Sequence, residues 1–414
     1  IALAPFTQKV CFLEEGDSVF IKEKTFKIFD ADHQKVKRKI SLTSYTGAGV
    51  GKGNFSHFMQ KEIYEQPSVI GDSLSRFIDP LNKKIDIPNL EIDWSKIKRI
   101  NLVACGTSYY ACLTATYWIQ KYAKIFCSAE LASEYRYKEI IKGNEQIVIF
   151  ISQSGETADT LAALRYAKSN KVKVMSLVNV DESSIARESD CFIPIAAGPE
   201  IGVASTKALT AQLSILACLT IIIGRKIGII EKKLEKNLTT SLIELPSKMT
   251  EILDSSDKIK RITTDIINAK STLFLGRGSC FPIAMEGALK LKEISYIHAE
   301  GYASGEMKHG PIALVDEEMP VFIIAPNNEL FEKNISNTQE ILARGGNIFL
   351  LTDTVGGKKV SGMEIKKIIL PTVNQFVQPI LYCLPVQMIA YFTAVLKGTD
   401  VDQPRNLAKS VTVE

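Results

Sequence analysis

The chain has 414 residues, of which 46% are apolar and 23% are charged. This is the composition of a globular protein with a large core, and the length suits two or three domains. The net charge of +4 is small for this length and argues against a nucleic-acid-binding protein. The eight cysteines include no Cys-x-x-Cys pair and the four histidines are scattered. We therefore expect reduced thiols, no zinc site and a cytoplasmic protein.

The N-terminal region is predicted to contain little structure of its own. Residues 1–46 include short alternating strands such as "SVFIKEKTFKIF", which are too few to form a core. A glycine-rich stretch, "GAGVGKGN" (47–54), reads as a linker. The segment "FSHFMQKEIYEQPSVI" (55–70) predicts a lead-in helix, so residues 47–92 are interpreted as linker and lead-in helix.

The remainder of the chain contains a duplicated unit. "INLVACGTSYYA" (100–111) and "LFLGRGSCFPIA" (273–284) both show an apolar strand, a glycine turn and an amphipathic helix. Two further strand pairs follow at nearly the same spacing: "EQIVIFISQ" matches "EMPVFIIAP", and "VKVMSLVN" matches "GNIFLLTD". Four strand positions alternating with helices in each half predict an α/β fold with parallel βαβ winding. We expect two doubly wound domains, at 93–232 and 233–400, followed by a tail at 401–414.

One apolar segment approaches the length of a membrane span. Residues 376–396, "FVQPILYCLPVQMIAYFTAVL", contain two glutamines and two prolines. These polar and helix-breaking residues favour a helix buried against a sheet over a transmembrane span.

Polar residues follow two of the predicted strands in the first domain. "CGTS" (105–108) and "SQSGET" (152–157) both lie at carboxyl ends of strands, where open parallel sheets bind ligands. The hydroxyls of Ser152, Ser154 and Thr157, with the N–H groups of the following helix, could hold a phosphate without a lysine. The alternative is that these residues only make turns and caps, as Ser205 or Thr206 is expected to cap "KALTAQLSILACL".

The segment "AMEGALKLKEISYIHAEGYASGEMKHGP" (284–311) combines several charged residues. On a helix, Glu286, Lys290 and Glu293 share one face, which is either a solvated stripe or a proton shuttle inside a cleft. His309 follows in a predicted loop, where an imidazole can act as acid or base.

A dinucleotide-binding site is not predicted. Gly276-Arg277-Gly278 lacks the third glycine and the later acidic residue of the fingerprint. A nicotinamide-dependent oxidoreductase is therefore disfavoured, and no cofactor is expected.

Five segments together resemble one family. They are "ACGTSYYA", "SQSGETADTLAALR", "EIGVASTKALTAQL", "EGALKLKEISYIHAEGYASGEMKHGP" and "KGTDVDQPRNLAKSVTVE". Over about residues 50–414 the chain resembles the isomerase half of the glutamine–fructose-6-phosphate aminotransferases, or glucosamine-6-phosphate synthases. The resemblance implies two tandem sugar-isomerase (SIS) domains, each with a flavodoxin-like parallel sheet and helices on both faces. It also implies an enzyme that converts fructose 6-phosphate to glucosamine 6-phosphate, the first step of the hexosamine pathway.

The same resemblance implies roles for individual residues. Glu293 would move a proton between C1 and C2, His309 would open the sugar ring from the neighbouring subunit of a homodimer, and Lys409 would form a Schiff base. Glu286 and Lys290 would support these groups. The residues implied to contact the sugar phosphate are Thr107, Ser108, Ser152, Gln153, Ser154, Thr157, Val203, Ser205 and Ala408.

The front of the chain departs from the family pattern. The family has an amino-terminal glutaminase domain whose first residue is a catalytic cysteine, whereas residue 1 here is isoleucine and Cys11 is internal. Residues 1–46 resemble only the last strands of that domain. We therefore expect a fragment of a longer enzyme rather than a natural short form, with ammonia normally channelled from the glutaminase domain.

Two other functions remain open from the residues alone. A plain phosphosugar isomerase would not need the lysine-bearing tail. A sugar-phosphate-sensing module would need the hydroxyl-lined site but not Glu293 or His309.

Overall fold

The computed structural model describes residues 6–42, 51–88, 90–141, 143 and 145–413. The chain divides into two compact units, residues 1–54 and residues 55–414. Residues 47–50 of the predicted linker lie outside the described part.

The first unit consists of short antiparallel strands. They are β1 (Lys9–Cys11), β2 (Ser18–Lys22), β3 (Thr25–Phe29), β4 (Lys35–Val36) and β5 (Ile40–Leu42). Strand β1 pairs with β5, while β2, β3 and β4 form a three-stranded sheet. Among the described residues of this unit, Ile28 is the only buried apolar side chain. The prediction that this segment has no core of its own is confirmed.

The second unit begins with two helices and a small hairpin. They are α1 (Phe58–Tyr64), α2 (Gln66–Ser75), β6 (Ile78–Asp79) and β7 (Lys84–Ile85). The prediction of a single lead-in helix over 55–70 is wrong, because the structure has two helices there. Pro67 in the first turn of α2 has no N–H to continue the hydrogen bonding of α1, so the helix is interrupted at Glu65.

The first parallel sheet has five strands. They are β8 (Arg99–Ala104), β9 (Phe126–Leu131), β10 (Gln146–Ser152), β11 (Lys173–Val178) and β12 (Cys191–Pro194). Its helices are α3 (Gly106–Tyr122), α4 (Ala132–Tyr135), α5 (Ala158–Ser169), α6 (Ser184–Glu188) and α7 (Lys207–Lys226). The spatial order is β12-β11-β10-β8-β9, and every pairing is parallel.

The second parallel sheet repeats the first. Its strands are β13 (Ser271–Gly276), β14 (His298–Ala303), β15 (Pro320–Ile324), β16 (Asn347–Asp353) and β17 (Lys366–Leu370). Its helices are α8 (Lys232–Asp254), α9 (Ser256–Thr263), α10 (Phe281–Ser295), α11 (Phe331–Leu342), α12 (Thr354–Lys359) and α13 (Gln378–Lys397). The order is β14-β13-β15-β16-β17, again with parallel pairings.

Both sheets follow the flavodoxin-like order 2-1-3-4-5, which confirms the predicted fold class and the duplication. Each sheet has five strands rather than the predicted four. The strands not anticipated include β9 and β14, which lie at one edge of each sheet and carry a glutamate, Glu130 and Glu300, within the strand. The turn glycines Gly106 and Gly278 have φ of +52° and +55°, so the repeat extends to backbone conformation.

The two domains share one hydrophobic core. Helices α7 and α13 are long and apolar enough to cross a membrane, but the hydrophobic windows of these helices are 100% and 89% buried inside the protein. The predicted buried helix at 376–396 is therefore confirmed. The eight cysteines are all free, as expected.

Candidate functional site

The loop after β10 forms a cradle of hydroxyl groups. Ser152 Oγ and Thr157 Oγ1 lie 3.2 Å apart, and Ser154 Oγ lies 3.5 Å from Thr157 Oγ1. The N–H groups of Gly155 and Glu156 donate to Ser152 Oγ at 3.0 Å and to Ser154 Oγ at 3.1 Å. Three hydroxyls are thus held together at the start of α5, where backbone N–H groups and the helix dipole favour an anion.

The shape of this loop depends on Gly155. Its φ is +65°, a left-handed conformation that disfavours other residues. A Cβ at this position would also lie 2.0 Å from Ser183 Oγ. The glycine therefore lets the loop turn tightly against α6 and direct its hydroxyls to one point.

The C-terminal tail lies on the same cradle. Ser410 Oγ donates to Ser154 Oγ at 3.1 Å, and the N–H of Ala158 donates to the carbonyl oxygen of Val411 at 3.0 Å. These contacts bring the lysine that precedes Ser410 to the edge of the cradle.

Lys409 makes an ion pair in the first domain. Its Nζ donates to Glu200 Oε2 at 2.6 Å and to the carbonyl oxygen of Gly202 at 2.9 Å. Burial by itself would raise the pKa of Glu200, but the Lys409 charge and the N–H groups of Thr206 and Ala208 outweigh it and lower that pKa. The lysine ammonium is therefore held against a buried carboxylate.

Glu200 was not anticipated from the sequence. Its side chain caps the start of α7 in place of the predicted Ser205 or Thr206. Thr206 stands at the N-cap of α7, yet its hydroxyl makes no hydrogen bond, and no capping bond of Ser205 occurs among the described residues. Instead, Glu200 Oε1 accepts from the N–H groups of Thr206 and Ala208 at 2.9 and 3.0 Å. The sequence signal that could have predicted this role is an acidic residue shortly before an apolar helix, since a carboxylate is favourable at a helix N-terminus.

Three charged side chains of α10 lie together, and two of them are fully buried. Lys290 Nζ is 2.7 Å from Glu293 Oε2 and 3.6 Å from Glu286 Oε1. Glu286 and Lys290 are 0% and 1% exposed, so the solvated-stripe interpretation does not hold. Burial raises the pKa of Glu286 to about 8. Burial opposes the charge of Lys290, but the two glutamates prevail and raise its pKa.

The α10 cluster contacts the first domain. Thr107 Oγ1 donates to Glu286 Oε1 at 3.4 Å, and Gln212 Nε2 of α7 donates to Ser108 Oγ at 3.0 Å. The Glu200 carboxylate also helps to raise the pKa of Lys290. The α10 cluster therefore contacts the start of α3, directly after β8, and it lies close enough to Glu200, the partner of Lys409, for their charges to interact.

The remaining predicted site residues differ in their burial and in the contacts they make. The N–H of Val203 donates to the carbonyl oxygen of Asp402 at 3.0 Å, and the carbonyl oxygen of Gln153 accepts from Asn179. Ala408 is exposed and Ser205 is half-buried. His309 is exposed at the end of a 3-10 helix over Glu306–His309 rather than in a loop. In the described part of the chain its ring makes no hydrogen bond or ion pair with the α10 cluster.

The second domain has no equivalent cradle. Leu330 stands where the first domain has Thr157, and its Cδ1 would lie 2.8 Å from a Cβ on Gly278. Asp353 stands where the first domain has Asn179, and its Oδ2 accepts from the N–H of Asn327 at 2.8 Å. An apolar group and a carboxylate at these positions disfavour an anion. The repeat therefore offers a single cradle.

Metal ligation is not supported by the side-chain arrangement. Over residues 6–42, 51–88, 90–141, 143 and 145–413, no three His, Cys, Asp or Glu side chains are grouped to hold a metal ion.

The fold and the cradle define the class of protein. The SIS domain family matches residues 94–222 and 265–397, which are parts of the two parallel α/β domains. The chain is thus a tandem SIS-domain protein, with the hydroxyl cradle in its first SIS domain.

The relatives define the family more narrowly. The glutamine–fructose-6-phosphate aminotransferases (isomerizing) of Mesorhizobium japonicum and Brucella abortus are 52% and 51% identical to it. Each alignment covers 100% of this chain and 68% of the relative. The C-terminal domain of glucosamine-fructose-6-phosphate aminotransferase from Francisella tularensis superposes with a TM-score of 0.83 and 43% identity, over 86% of this chain and 100% of that one. The chain belongs to the glutamine–fructose-6-phosphate aminotransferase family.

Proposed function

We propose that this chain converts fructose 6-phosphate and ammonia to glucosamine 6-phosphate, by amination coupled to ketose–aldose isomerisation. The observation that carries the proposal is the contact between Ser410 and Ser154. It supports the proposal because Lys409, the residue before Ser410, would bring an amine near the hydroxyl cradle in a member of this family.

The cradle is proposed to bind the sugar phosphate. Hydroxyl donors from Ser152, Ser154 and Thr157 and the positive end of α5 suit a phosphate dianion. Gln153, Thr107 and Ser108 would contact the same ligand, as would Ser205 and the backbones of Val203 and Ala408. Holding the phosphate at the far end of the open-chain sugar would direct C2 towards Lys409 and the α10 acids.

Lys409 is proposed to act as the nucleophile. Its neutral amine attacks the C2 carbonyl carbon, and loss of water leaves an imine. Ammonia then adds at C2 and displaces the lysine, so that the nitrogen stays on the sugar. The tail that carries Lys409 closes the site from solvent through its contacts with the cradle.

Glu293 is proposed to move the proton. It takes a proton from C1 and returns it to C2, while the C1 hydroxyl gives up its proton and becomes the aldehyde oxygen and the imine nitrogen gains a proton to become the amine. Lys290 Nζ donates to Glu293 Oε2 at 2.7 Å and would orient the carboxylate. Glu286, whose pKa is raised to about 8 by burial, lies 3.6 Å from Lys290 and is proposed to hold that lysine in place.

His309 is proposed to open the sugar ring from the second subunit of a homodimer. Its exposure on this protomer and the family resemblance both support this assignment. A cytoplasmic location is also proposed, because the eight thiols are free.

The test is the formation of glucosamine 6-phosphate from fructose 6-phosphate and an ammonium salt. We expect the wild-type chain to form product. Lys409→Ala should abolish amination and keep some exchange between fructose 6-phosphate and glucose 6-phosphate. Binding without any turnover would favour a sensing module, and equal loss of both reactions in Lys409→Ala would contradict separate roles for Lys409 and Glu293.

A further inference from the structure

Glu62 of α1 is a buried acid that the proposed mechanism does not use. It is 2% exposed, and its Oε1 accepts hydrogen bonds from the N–H groups of Ile201 and Gly202 at 2.5 and 3.2 Å. Its second oxygen, Oε2, is buried without a hydrogen-bond partner in the described structure. A buried, half-satisfied carboxyl group is costly, so its presence calls for a specific explanation.

The backbone that Glu62 holds is the backbone that holds Lys409. Glu200 and the carbonyl group of Gly202 bind the lysine Nζ, and Glu62 binds the two adjacent N–H groups. The contact is close, since a Cβ on Gly202 would lie 2.9 Å from Glu62 Oε2. Any movement of the Glu62 side chain would therefore be transmitted to the position of the lysine.

The tail is attached to the same helix at its other end. Asp402 accepts from the N–H groups of Phe58 and Met59 at 2.9 Å each, and its carbonyl oxygen accepts from Val203. Helix α1 thus contacts the start of the tail through Asp402 and the lysine-binding loop through Glu62.

We propose that Glu62 is a positioning residue for Lys409 and acts by holding the 200–203 loop, whose Glu200 carboxylate and Gly202 carbonyl oxygen bind the lysine. The inference rests on the proposed function, because it assumes that Lys409 is the nucleophile.

The surrounding charges support this assignment. The charged side chains that interact electrostatically with Glu62 are Glu200, Lys409 and Lys207. Lys207 also forms an ion pair with Glu65 at 2.9 Å. Burial, followed by repulsion from Glu200, raises the pKa of Glu62 to about 8. Below that pH, one negative charge faces the lysine. Above it, a second negative charge lies near the lysine.

The experiment compares wild type, Glu62→Gln, Glu62→Ala and the exposed control Glu91→Gln. The first measurement is the rate of Lys409 acetylation by acetic anhydride as a function of pH, read by mass spectrometry. The second is borohydride trapping of the fructose 6-phosphate imine on Lys409 at pH 7. Thermal unfolding of each variant checks the fold.

Glutamine keeps an oxygen that can accept from both N–H groups but cannot ionise. In Glu62→Gln we expect wild-type trapping at pH 7 and an alkaline rise in acetylation at a pH lower by about one unit. In Glu62→Ala, which removes the acceptor, trapping should fall about tenfold or more, as expected for a misplaced reacting group. Glu91→Gln should match wild type in both measurements.

The inference is overturned if folded Glu62→Ala traps the imine at the wild-type rate, or if the Glu62→Gln acetylation profile coincides with wild type. It is also overturned if Glu62→Gln is as slow as Glu62→Ala, since the charge would then be required. Absence of trapping in the wild type would reject the proposed role of Lys409. Acetylation would still report whether Glu62 acts on the lysine.

Discussion

The cradle loop offers a direct test of the structural reasoning at Gly155. The change is Gly155→Ala, with Gly106→Ala as the matched control. Both glycines have positive φ, +65° and +52°. A Cβ on Gly155 would meet Ser183 Oγ at 2.0 Å and Ser183 Cβ at 2.4 Å, whereas a Cβ on Gly106 meets nothing within 4 Å.

The expected losses can be assembled from separate contributions. The left-handed conformation costs alanine about 1–2 kcal/mol at either site. At Gly155 the new methyl group must also displace Ser183, which caps α6 by accepting from the N–H of Ala186. Loss of that cap costs about 1 kcal/mol, and overpacking costs roughly 1–3 kcal/mol. Gly155→Ala should therefore lose roughly 2–4 kcal/mol more of unfolding free energy than Gly106→Ala.

Urea denaturation gives the unfolding free energies, and calorimetry gives the affinity for fructose 6-phosphate. Gly155→Ala should also bind the sugar phosphate more weakly, because the clash with Ser183 would shift the N–H of residue 155 that donates to Ser152 Oγ. Equal destabilisation of the two variants would show that contact with Ser183 is unimportant and refute this account of the loop.

Three further predictions follow from the charged groups. The pKa of Glu286 is about 8 in the folded protein and 4.5 when the side chain is exposed by unfolding. The protonated side chain therefore contributes its full stabilisation below pH 4.5, and this contribution is lost as pH rises through about 8. Between pH 4.5 and about 8, the unfolding free energy of the wild type should therefore fall more steeply with pH than that of Glu286→Gln, by up to about 1.4 kcal/mol per pH unit. The measurement is urea denaturation at several pH values. Equal slopes of unfolding free energy against pH in the two proteins would contradict this prediction. Equimolar mixing of Lys409→Ala and His309→Ala subunits, after exchange, should restore about a quarter of wild-type activity in a shared-site dimer; no recovery would argue against sharing. Asp402→Ala should cost about 1–2 kcal/mol through the lost caps on α1 and slow imine trapping on Lys409, whereas unchanged trapping would separate α1 from the site.

Much of this protein could be predicted from local sequence. Alternating apolar runs and glycine turns predicted the duplicated α/β unit because strand and helix periods are local properties. The hydroxyl-rich "SQSGET" predicted the cradle, since the residues that line it lie within six positions of one another. The spacing of Glu286, Lys290 and Glu293 likewise placed them on one helical face before their burial was known.

The tertiary structure decided which groups face one another. Glu200 pairs with Lys409 across a separation of 209 residues, and Asp402 caps α1 across 344; no local pattern encodes such pairs. The second domain repeats the backbone of the first, yet Leu330 stands where the first domain has the cradle hydroxyl of Thr157. Burial of α10 excludes the solvated stripe that the spacing also allowed, and it raises the pKa of Glu286 to about 8. Local spacing sets the period of a helix or strand, whereas the protonation state of a side chain depends on desolvation and on charges brought near it by packing of distant segments.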